Sequence, residues 1–564
     1  MKYSDRPWLK WYDEGVEPEI VIPEMTLVDR YNEAASEFPD HVAFHFMGIA
    51  TRFRELSEQA DRFASFLKEN GFGPGDVVGI CAPNIPQYLI AFLGILKAGC
   101  AASGVSPLLT TRELAHQVND CNAKCLVTLD AIFEHRLAGA ADQFPRLKLI
   151  VTTGLGDFMP AFKRVLGTLL RRIPTGKVHP LPGKQVVQFK EILAKYPAED
   201  PKVSLTPDDH CLIQYTGGTT GLPKGTILTH RNVVANTYQM VNWTGVKRGE
   251  VVALSGFPFF HLAGLTVGML ALTLGGTQIL VPNPRDTKHM AKEFRRYRPS
   301  FLVNVPSLYM MLIEEPLFRD ADFSNLELCF SGASPYPAES IKEFEAVTGK
   351  RVLMEGFGMT ETIAVVISNP RHNKRKIGSV GVPISGTGVR IVDLETGTKD
   401  VPVGEEGEVI ARGPQVMKGY LNKPEETAIA LRDHDGETWL HTGDVARMDE
   451  DGFFFIVDRA KDMLSVGGFK VFSREIEEKL YELDAIDLCA IVGLPNPDRP
   501  GSEIVKLVAQ LRPGYKEKDH EKVKADILAF SKENLAPYKI PKVIEFVDEV
   551  PLTPVGKVDK KALR

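Results

Sequence analysis

The sequence predicts an α/β protein. A large N-terminal domain would hold two parallel α/β subdomains and a small β-barrel, and a small mobile α+β domain would follow. Three observations carry this expectation. Apolar runs and amphipathic stretches alternate as strand, helix and strand three times before about residue 377. From about Gly378 the texture changes to short β-rich runs punctuated by glycine, and past Asp458 it changes again to helices and strands over about a hundred residues. At 564 residues the chain also exceeds what a single hydrophobic core serves.

The elements follow in order. Arg52 to Asn70 sets Leu56, Ala60, Phe63, Phe66 and Leu67 on one helical face, and Gly71 stops it. A strand from Asp76 to Cys81, a proline turn, a helix from about Gln87 to Lys97 and a strand near Ala101 to Val105 make a βαβ unit. The rhythm returns at Val251 to Val281 and from Phe301 onward. Val251 to Pro282 contains no Asp, Glu, Lys or Arg, long enough on paper to cross a bilayer. Pro258, His261 and Gly275-Gly276 divide it, however, so it reads as buried strand, buried helix and buried strand. GSVGVPISGTGVRIVDLETGTKDVPVGEEGEVIARGP opens the region of about 378–457, a small barrel or antiparallel sheet. DRAKD, 458–462, is short and polar and reads as a hinge between the domains 1–457 and 463–564. In the latter, EIEEKLYEL is a helix, LCAIVGL, IVKLVAQL and VIEFVDEV are strands, and Asp519 to Glu533 is a charged helix.

Composition excludes several classes. Hydrophobic residues make up 44% and charged residues 25%, the balance of a soluble globular protein. A net charge of -6 argues against a nucleic-acid binder. Seven scattered cysteines, including Cys121 and Cys125 in CxxxC spacing with no partner pair, read as reduced structural thiols of a cytosolic protein. MKYSDRPWLKWYDEG lacks the apolar core of a secretory signal. Ala161 to Lys184 stands out, with six Lys or Arg and no acid. It reads either as a solvated charged loop or as a surface element that meets anionic lipid headgroups.

Chemistry concentrates in YTGGTTGLPKGTILTH, Tyr215 to His230. Glycines let backbone N–H groups approach a phosphate, hydroxyls donate, and a lysine supplies charge. The stretch is no Walker loop, because Lys224 lies between Pro223 and Gly225. GFGMTE (Gly356 to Glu361), HTGD (His441 to Asp444), DRAKDMLSVGGFKVFSREIE (Asp458 to Glu477) and TPVGKVDKKALR (Thr553 to Arg564) follow it. These motifs, in this order from about Leu27 to the C-terminus, resemble the adenylate-forming superfamily of acyl-CoA synthetases, luciferases and peptide-synthetase adenylation domains.

The resemblance implies the following roles. Thr216, Gly217, Gly218, Thr219, Thr220, Gly221 and Lys224 would cover the β- and γ-phosphates of ATP. Gly332, Ala333 and Ser334 would lie on the adenine side, with Gly356, Phe357, Gly358 and Met359 flanking base and sugar; Phe357 replaces the family's common tyrosine. Thr360 would donate to the α-phosphate, and Glu361, with Thr216, would ligate Mg²⁺. Asp444 would accept from the ribose hydroxyls, and Arg459 would reach the same nucleotide. Lys557, in Gly556-Lys557, would neutralise charge during adenylation, whereas Lys560 and Lys561 read as tail charges. The small domain would then swing about Lys461 and present Gly467 and Gly468 to the pantetheine arm of CoA. Ser465 stands where luciferases carry a lysine.

The acyl side falls in FPFFHLAGL. Phe260, His261, Gly264, Leu265 and Gly268 would form the pocket, with His261 as gate between acid pocket and CoA tunnel, and the glycines marking where a tunnel opens. No aspartate there could pair with a substrate amine. RPWLKWYDEG, GPQVMKGYLNKP, WLHTGD and IVDRAKDM look most like bacterial and archaeal long-chain fatty acid–CoA ligases. The expected reaction is fatty acid, ATP and CoA to acyl-CoA, AMP and pyrophosphate. The alternatives are a medium-chain or aromatic acid–CoA ligase and a non-catalytic nucleotide-binding relative. A cytoplasmic location, peripheral membrane contact through 161–184 and a homodimer complete the expectations.

Overall fold

The computed structural model describes all residues except 1, 171, 217–222, 333–335, 460, 461, 467, 468, 498, 500, 501, 554–556 and 564, and the side chains of Arg459 and Lys470. An eight-stranded sheet runs in the order Gly419–Tyr420, Lys224–Thr229, His210–Thr216, Ala101–Gly104, Val77–Cys81, Cys125–Leu129, Leu149–Thr153, Gln185–Gln188. Pairing is parallel from His210–Thr216 to the Gln185–Gln188 edge. Helix α1 (Pro86–Lys97) crosses over between the strands Val77–Cys81 and Ala101–Gly104, and its sequence PQYLIAFLGILK is buried on every side. Helix α2 (Ala161–Leu169) leaves the edge after Leu149–Thr153. Thr229 caps helix α3 (His230–Thr244) by accepting from Asn232 N.

The second sheet has nine strands, in the order Val382–Pro383, Ile367–Ser368, Leu353–Phe357, Leu328–Ser331, Phe301–Asn304, Val252–Ser255, Thr277–Leu280, Val42–Phe46, Ile49–Arg52. Its middle is parallel. Helices α4 (Leu262–Thr273) and α5 (Thr287–Tyr297) serve as crossovers. The uncharged segment thus forms strand, helix and strand, and among the described residues no helix is long and apolar enough to cross a membrane. Both sheets differ from the purely parallel expectation. Short strands pair antiparallel at both ends of the nine-stranded sheet, and the phosphate-loop hairpin does so in the eight-stranded one. Ile49–Arg52 returns on Val42–Phe46 through a tight turn, which only antiparallel pairing permits, whereas Gly419–Tyr420 reaches Lys224–Thr229 from far along the chain.

The region of about 378–457 is an antiparallel sheet of Gly388–Val392, Gly407–Arg412, Glu437–Met448, Leu431–His434 and Phe454–Arg459. Of the barrel and the antiparallel sheet that the sequence allows, the pairing is that of the sheet: among the described residues none joins the two end strands into a closed barrel. The long strand Glu437–Met448 instead takes one partner along its first half and another along its second. The N-terminal segment straps this sheet to the nine-stranded one. Trp8 packs edge-on against Phe454 with ring centroids 5.9 Å apart, and Tyr12 donates to the Pro383 carbonyl at 2.7 Å.

The small C-terminal domain contains helix α6 (Ser473–Leu480), the strands Ile486–Pro495, Glu503–Leu511 and Val543–Val547, and the helix His520–Asn534. It has its own apolar core around Ile476, Leu480, Ile491, Leu507 and Ile527. In the large domain, Tyr88, Phe92, Phe259, Phe260, Leu265 and Met269 share one core. The predicted acyl segment is therefore clasped between the two sheets. All seven cysteines are buried and unpaired.

Trp8→Ala should cost about 3–5 kcal/mol of stability, the usual loss for a buried tryptophan. Urea unfolding measures it, with proteolysis expected to strike first at the antiparallel sheet.

Candidate active site

The nucleotide-side loops leave the carboxyl ends of the parallel strands, where open α/β sheets bind ligands. Ser331 pairs in register with Glu355, so Gly332 and Gly356 emerge side by side. Ala333 and Ser334 lie outside the described residues. Past Phe357 the chain doubles back: a Cβ on Gly358 would stand 1.4 Å from the Ala364 carbonyl oxygen, so only glycine fits. Thr360–Thr362 forms a 3₁₀ turn after Met359, and Ala364 N donates to the Thr362 carbonyl at 2.7 Å. That bond closes a γ-turn around Ile363, with φ +64 and ψ −54. A β-branched residue at positive φ stores on the order of 1–3 kcal/mol of strain. Full burial holds Ile363 there, and the turn points Glu361 inward, 5% exposed.

The Glu361 carboxylate accepts from the Tyr420 hydroxyl at 2.7 Å, and its carbonyl accepts from Met417 N at 2.8 Å. The Lys224 ammonium lies 4.2 Å from the Tyr420 ring centroid, a cation–π contact. Thr216 and Lys224 are register partners at the mouth of the glycine-rich hairpin. The structure thus brings Thr216, Lys224, Thr360 and Glu361 together through Tyr420, a residue to which the sequence assigns no role. Gly217, Gly218, Thr219, Thr220 and Gly221 lie outside the described residues. No group of three or more His, Cys, Asp or Glu is placed to hold a metal among the described residues. A nucleotide-borne cation needs fewer protein ligands, and the Glu361 carboxylate and the Thr216 hydroxyl are of the hard-oxygen kind that Mg²⁺ takes.

Asp444 sits in the long antiparallel strand, 5% exposed, opposite Arg459 in register. The Arg459 side chain lies outside the described residues. The HTGD bend is held by Glu408, which accepts from Gly443 N at 2.9 Å and meets His441 Nδ1 at 2.9 Å. Against the cost of burial, those two bonds keep the Glu408 carboxyl below its ordinary range. His434 Nε2 lies 2.9 Å from His441 Nε2, so one of the two rings must stay neutral to accept.

On the acyl side, Phe257–Phe260 is pinned by residues the sequence does not single out. Asn84 donates to the Phe257 carbonyl at 2.9 Å and accepts from Phe259 N at 2.7 Å. Tyr88 donates to the Phe259 carbonyl at 2.9 Å and Gln214 to the Phe260 carbonyl at 2.7 Å. His261 caps α4, its Nδ1 accepting from Ala263 N at 3.3 Å. The glycines are not openings. A Cβ on Gly264 would stand 2.3 Å from the Pro258 carbonyl oxygen, and one on Gly268 would stand 3.3 Å from the Phe259 ring. Their small size lets α4 pack against this loop, which corrects the expectation of a tunnel there. Leu265 is a core residue, 1% exposed.

The C-terminal domain reaches this loop. Burial, and after it the charge of the Lys557 ammonium, push the His261 imidazole down to about 3. Lys557 extends from a tight return in which Thr553 N donates to the Lys557 carbonyl at 2.6 Å and Leu552 bridges Val558. Lys560 is not a tail charge. Its ammonium meets Glu477 at 2.8 Å and Ser473 Oγ at 2.5 Å. Burial works against that charge, yet Glu477, Asp458 and Asp462 hold its pKa above the ordinary lysine value. Lys561 lies near enough to Glu113 of the large domain to help, after Thr110, in holding that carboxyl low. Lys461, Gly467 and Gly468 lie outside the described residues.

A small C-terminal domain that delivers a lysine onto the loops of a large α/β domain is the arrangement of adenylate-forming enzymes. The chain belongs to the AMP-binding enzyme family: that family's profile matches residues 31–421, and the AMP-binding enzyme C-terminal domain matches residues 475–557. It is 38% identical over 573 residues to a long-chain-fatty-acid–CoA ligase of Bacillus subtilis (strain 168), covering 99% of this chain and 98% of that one. A protein of the same name from Escherichia coli O6:H1 is 35% identical over 568 residues, with 99% and 97% covered. Among solved structures, the anthranilate CoA ligase AuaEII in complex with anthranoyl-AMP superposes with a TM-score of 0.83 at 27% identity, covering 100% of this chain and 98% of that one. ATP-bound MatB from Rhodopseudomonas palustris gives 0.79 at 27% identity, with 96% and 98% covered.

Tyr420→Phe keeps the ring under Lys224 and removes the donor to Glu361. A hydrogen bond to a charged group contributes about 1.5–3 kcal/mol, so unfolding stability should fall by about that amount, and with Glu361 no longer held in place acid-dependent ATP–pyrophosphate exchange should fall by about tenfold or more. His261 supplies a pH test. Its folded pKa of about 3 lies below the unfolded value, so its contribution to stability is present above about pH 6.5 and is lost as pH falls toward 3. At pH 5 the loss is about 2 kcal/mol. Unfolding midpoints between pH 7 and 5 should therefore drop more steeply in the wild type than in His261→Asn.

Proposed function

We propose that the chain is an ATP-dependent, AMP-forming fatty acid–CoA ligase acting on long-chain acids. The observation that carries this reading is the likeness of nearly the whole chain to long-chain-fatty-acid–CoA ligases, and the hairpin mouth, where Lys224 lies over the Tyr420 ring that donates to the buried Glu361, supports it. In the first half-reaction the carboxylate oxygen attacks the α-phosphorus, the bond to the β-phosphate oxygen breaks, and pyrophosphate leaves. Two anions meet there, so a cation placed where charge accumulates lowers the barrier. Lys557 is that cation. Thr216, Lys224 and the hairpin glycines hold the departing phosphates, Thr360 donates to the α-phosphate, and Asp444 accepts from the ribose. Glu361 and Thr216 would hold Mg²⁺, which when bound neutralises phosphate charge. His261 stays neutral at physiological pH, so it adds no second cation beside the acyl carboxylate.

In the second half-reaction the CoA sulfur attacks the acyl carbonyl, the carbonyl–phosphate bond breaks, AMP leaves, and the thiol proton passes to solvent. The conformation with Lys557 over the acyl loop suits the first step. The second requires the small domain to turn about the hinge 458–462, withdrawing Lys557 and presenting Gly467 and Gly468. The long-chain assignment rests on the names of the relatives and on an acyl loop without a charged partner for a substrate amine. Peripheral membrane contact through the basic segment 161–184 belongs to the same reading.

Lys557→Ala should lower ATP–pyrophosphate exchange by at least about a hundredfold, the scale of one lost transition-state charge contact. CoA attack on supplied acyl-adenylate should remain near the wild-type rate, and equal loss of both steps would refute the two-stage role of the small domain. A panel of acids from acetate to oleate plus benzoate should give its highest kcat/KM beyond ten carbons; a maximum at benzoate or a medium chain would reassign the substrate.

A further inference from the structure

Helix α2 is built inside out. Phe162, Val165, Leu166 and Leu169 recur at the spacing of one helical face, continued by Leu170. On an ordinary surface helix such a stripe faces the core. Here the five residues are 70%, 65%, 53%, 76% and 53% exposed, whereas Lys163 and Gly167 face inward. Elsewhere the exposed large apolar residues stand singly along the chain. The helix is held by polar means: Lys163 Nζ donates to the Met47 carbonyl at 2.7 Å, and Gly167 lies close against Ile173. A contiguous apolar stripe turned to solvent on an otherwise well-packed protein marks an interaction surface.

The surroundings state the partner's charge. Residues 161–184 carry six Lys or Arg and no acid in a chain of net charge -6. The patch continues onto α5, whose Arg296 guanidinium approaches Gly48 beside the Lys163 ammonium. Lys163, Arg164, Arg172 and Arg296 make no ion pair with an acid among the described residues. Asp157, in the turn before α2, is already engaged by Thr153, Gly154 N and Lys190. An apolar stripe flanked by unneutralised cations matches an anionic bilayer, whose acyl boundary takes the stripe and whose headgroups take the charges.

The site is also coupled to the acyl loop. Gln87 on α1 donates to Thr153 Oγ1 at 2.9 Å and to the Gly154 carbonyl at 3.0 Å, holding the turn that leads to α2. Asn84 and Tyr88, on either side of Gln87, hold Phe257–Phe260. The segment Asn84 to Tyr88, leading into the first turn of α1, thus contacts both the turn before α2 and the acyl-side loop.

We propose that α2 docks the protein on anionic bilayers, its stripe of Phe162, Val165, Leu166 and Leu169 entering the headgroup–acyl boundary. Resting on the ligase reading above, we take docking to be how the enzyme collects a fatty acid dissolved in lipid. The test is cosedimentation of the full chain with phosphatidylglycerol or phosphatidylcholine vesicles. Wild type should bind phosphatidylglycerol vesicles and release at high salt, with at least about tenfold weaker binding to phosphatidylcholine. Phe162→Ser/Leu169→Ser and Arg164→Glu/Arg172→Glu should each lose about tenfold or more in phosphatidylglycerol binding. Both variants change exposed residues, and both should keep wild-type ATP–pyrophosphate exchange with soluble octanoate while turning over vesicle-borne palmitate more slowly. Undiminished vesicle binding by either variant, or none by wild type, overturns the proposal. A wild-type dimer in sedimentation velocity that Phe162→Ser/Leu169→Ser converts to monomer, without vesicle binding, assigns the face to a second copy and overturns it as well. Exchange absent from wild type with every acid overturns the ligase reading, and with it the collection step, while vesicle binding still decides the docking helix.

Discussion

The hydroxyl of Tyr420 on the buried Glu361 carboxylate ties together parts of the chain that lie far apart in sequence. A carboxylate removed from water must be hydrogen-bonded or bind a cation. Glu361 meets this need with a tyrosine 59 residues away, carried on a two-residue strand at the edge of the other sheet. That strand pairs with Lys224–Thr229, Tyr420 opposite Thr226, and so places its ring under the Lys224 ammonium. The antiparallel edge that interrupts the parallel pattern therefore has a purpose. It brings the arms of the phosphate hairpin to the turn that presents Glu361.

A second constraint governs the small domain. Asp458, the first residue of the hinge segment and still part of the strand Phe454–Arg459, accepts from Ser473 N at 2.6 Å and Ser473 Oγ at 2.7 Å, capping α6. Lys560 meets Ser473 and Glu477 on the same helix turn. The C-terminal tail, α6 and the strand before the hinge are thus keyed to one polar cluster, three residues downstream of Lys557. Such a cluster fixes Lys557 relative to the junction rather than leaving it on a loose tail. A turn about Lys461 would have to part Asp458 from Ser473. The two states must then differ little in free energy, with each replacing the bonds the other loses.

The fold was legible where burial is complete. The strand Val77–Cys81 is apolar on both faces, and the crossover helix α1 is almost wholly apolar, so neither needs tertiary information to be recognised. The site was legible where chemistry is local, in GFGMTE, HTGD and the hairpin mouth. It was illegible where a role depends on partners far along the chain. Asn84 meets its partners 173 and 175 residues away, Tyr88 meets its partner 171 residues away, and no local pattern announces such bonds. Gly264 and Gly268 mislead for a related reason. A small residue signals close approach or open space equally well, and only the position of the Pro258 carbonyl and the Phe259 ring decides.

Helix α2 shows the same limit in its sharpest form. Period 3.6 in the sequence specifies that one face is apolar, but not which face the rest of the protein covers. The sign is set here by Lys163 and Gly167. A lysine anchored on the Met47 carbonyl and a glycine too small to hold the helix away from Ile173 form the inner side, which commits Phe162, Val165, Leu166 and Leu169 to the outside. An inner face that weak would not be expected to order nine residues alone, since short helices in water draw most of their stability from packing an apolar face. The stripe that could supply this stability is the one left uncovered. The helix is therefore best satisfied when something apolar lies against its outer face, and the surrounding lysines and arginines are the charge that the proposed anionic bilayer would meet.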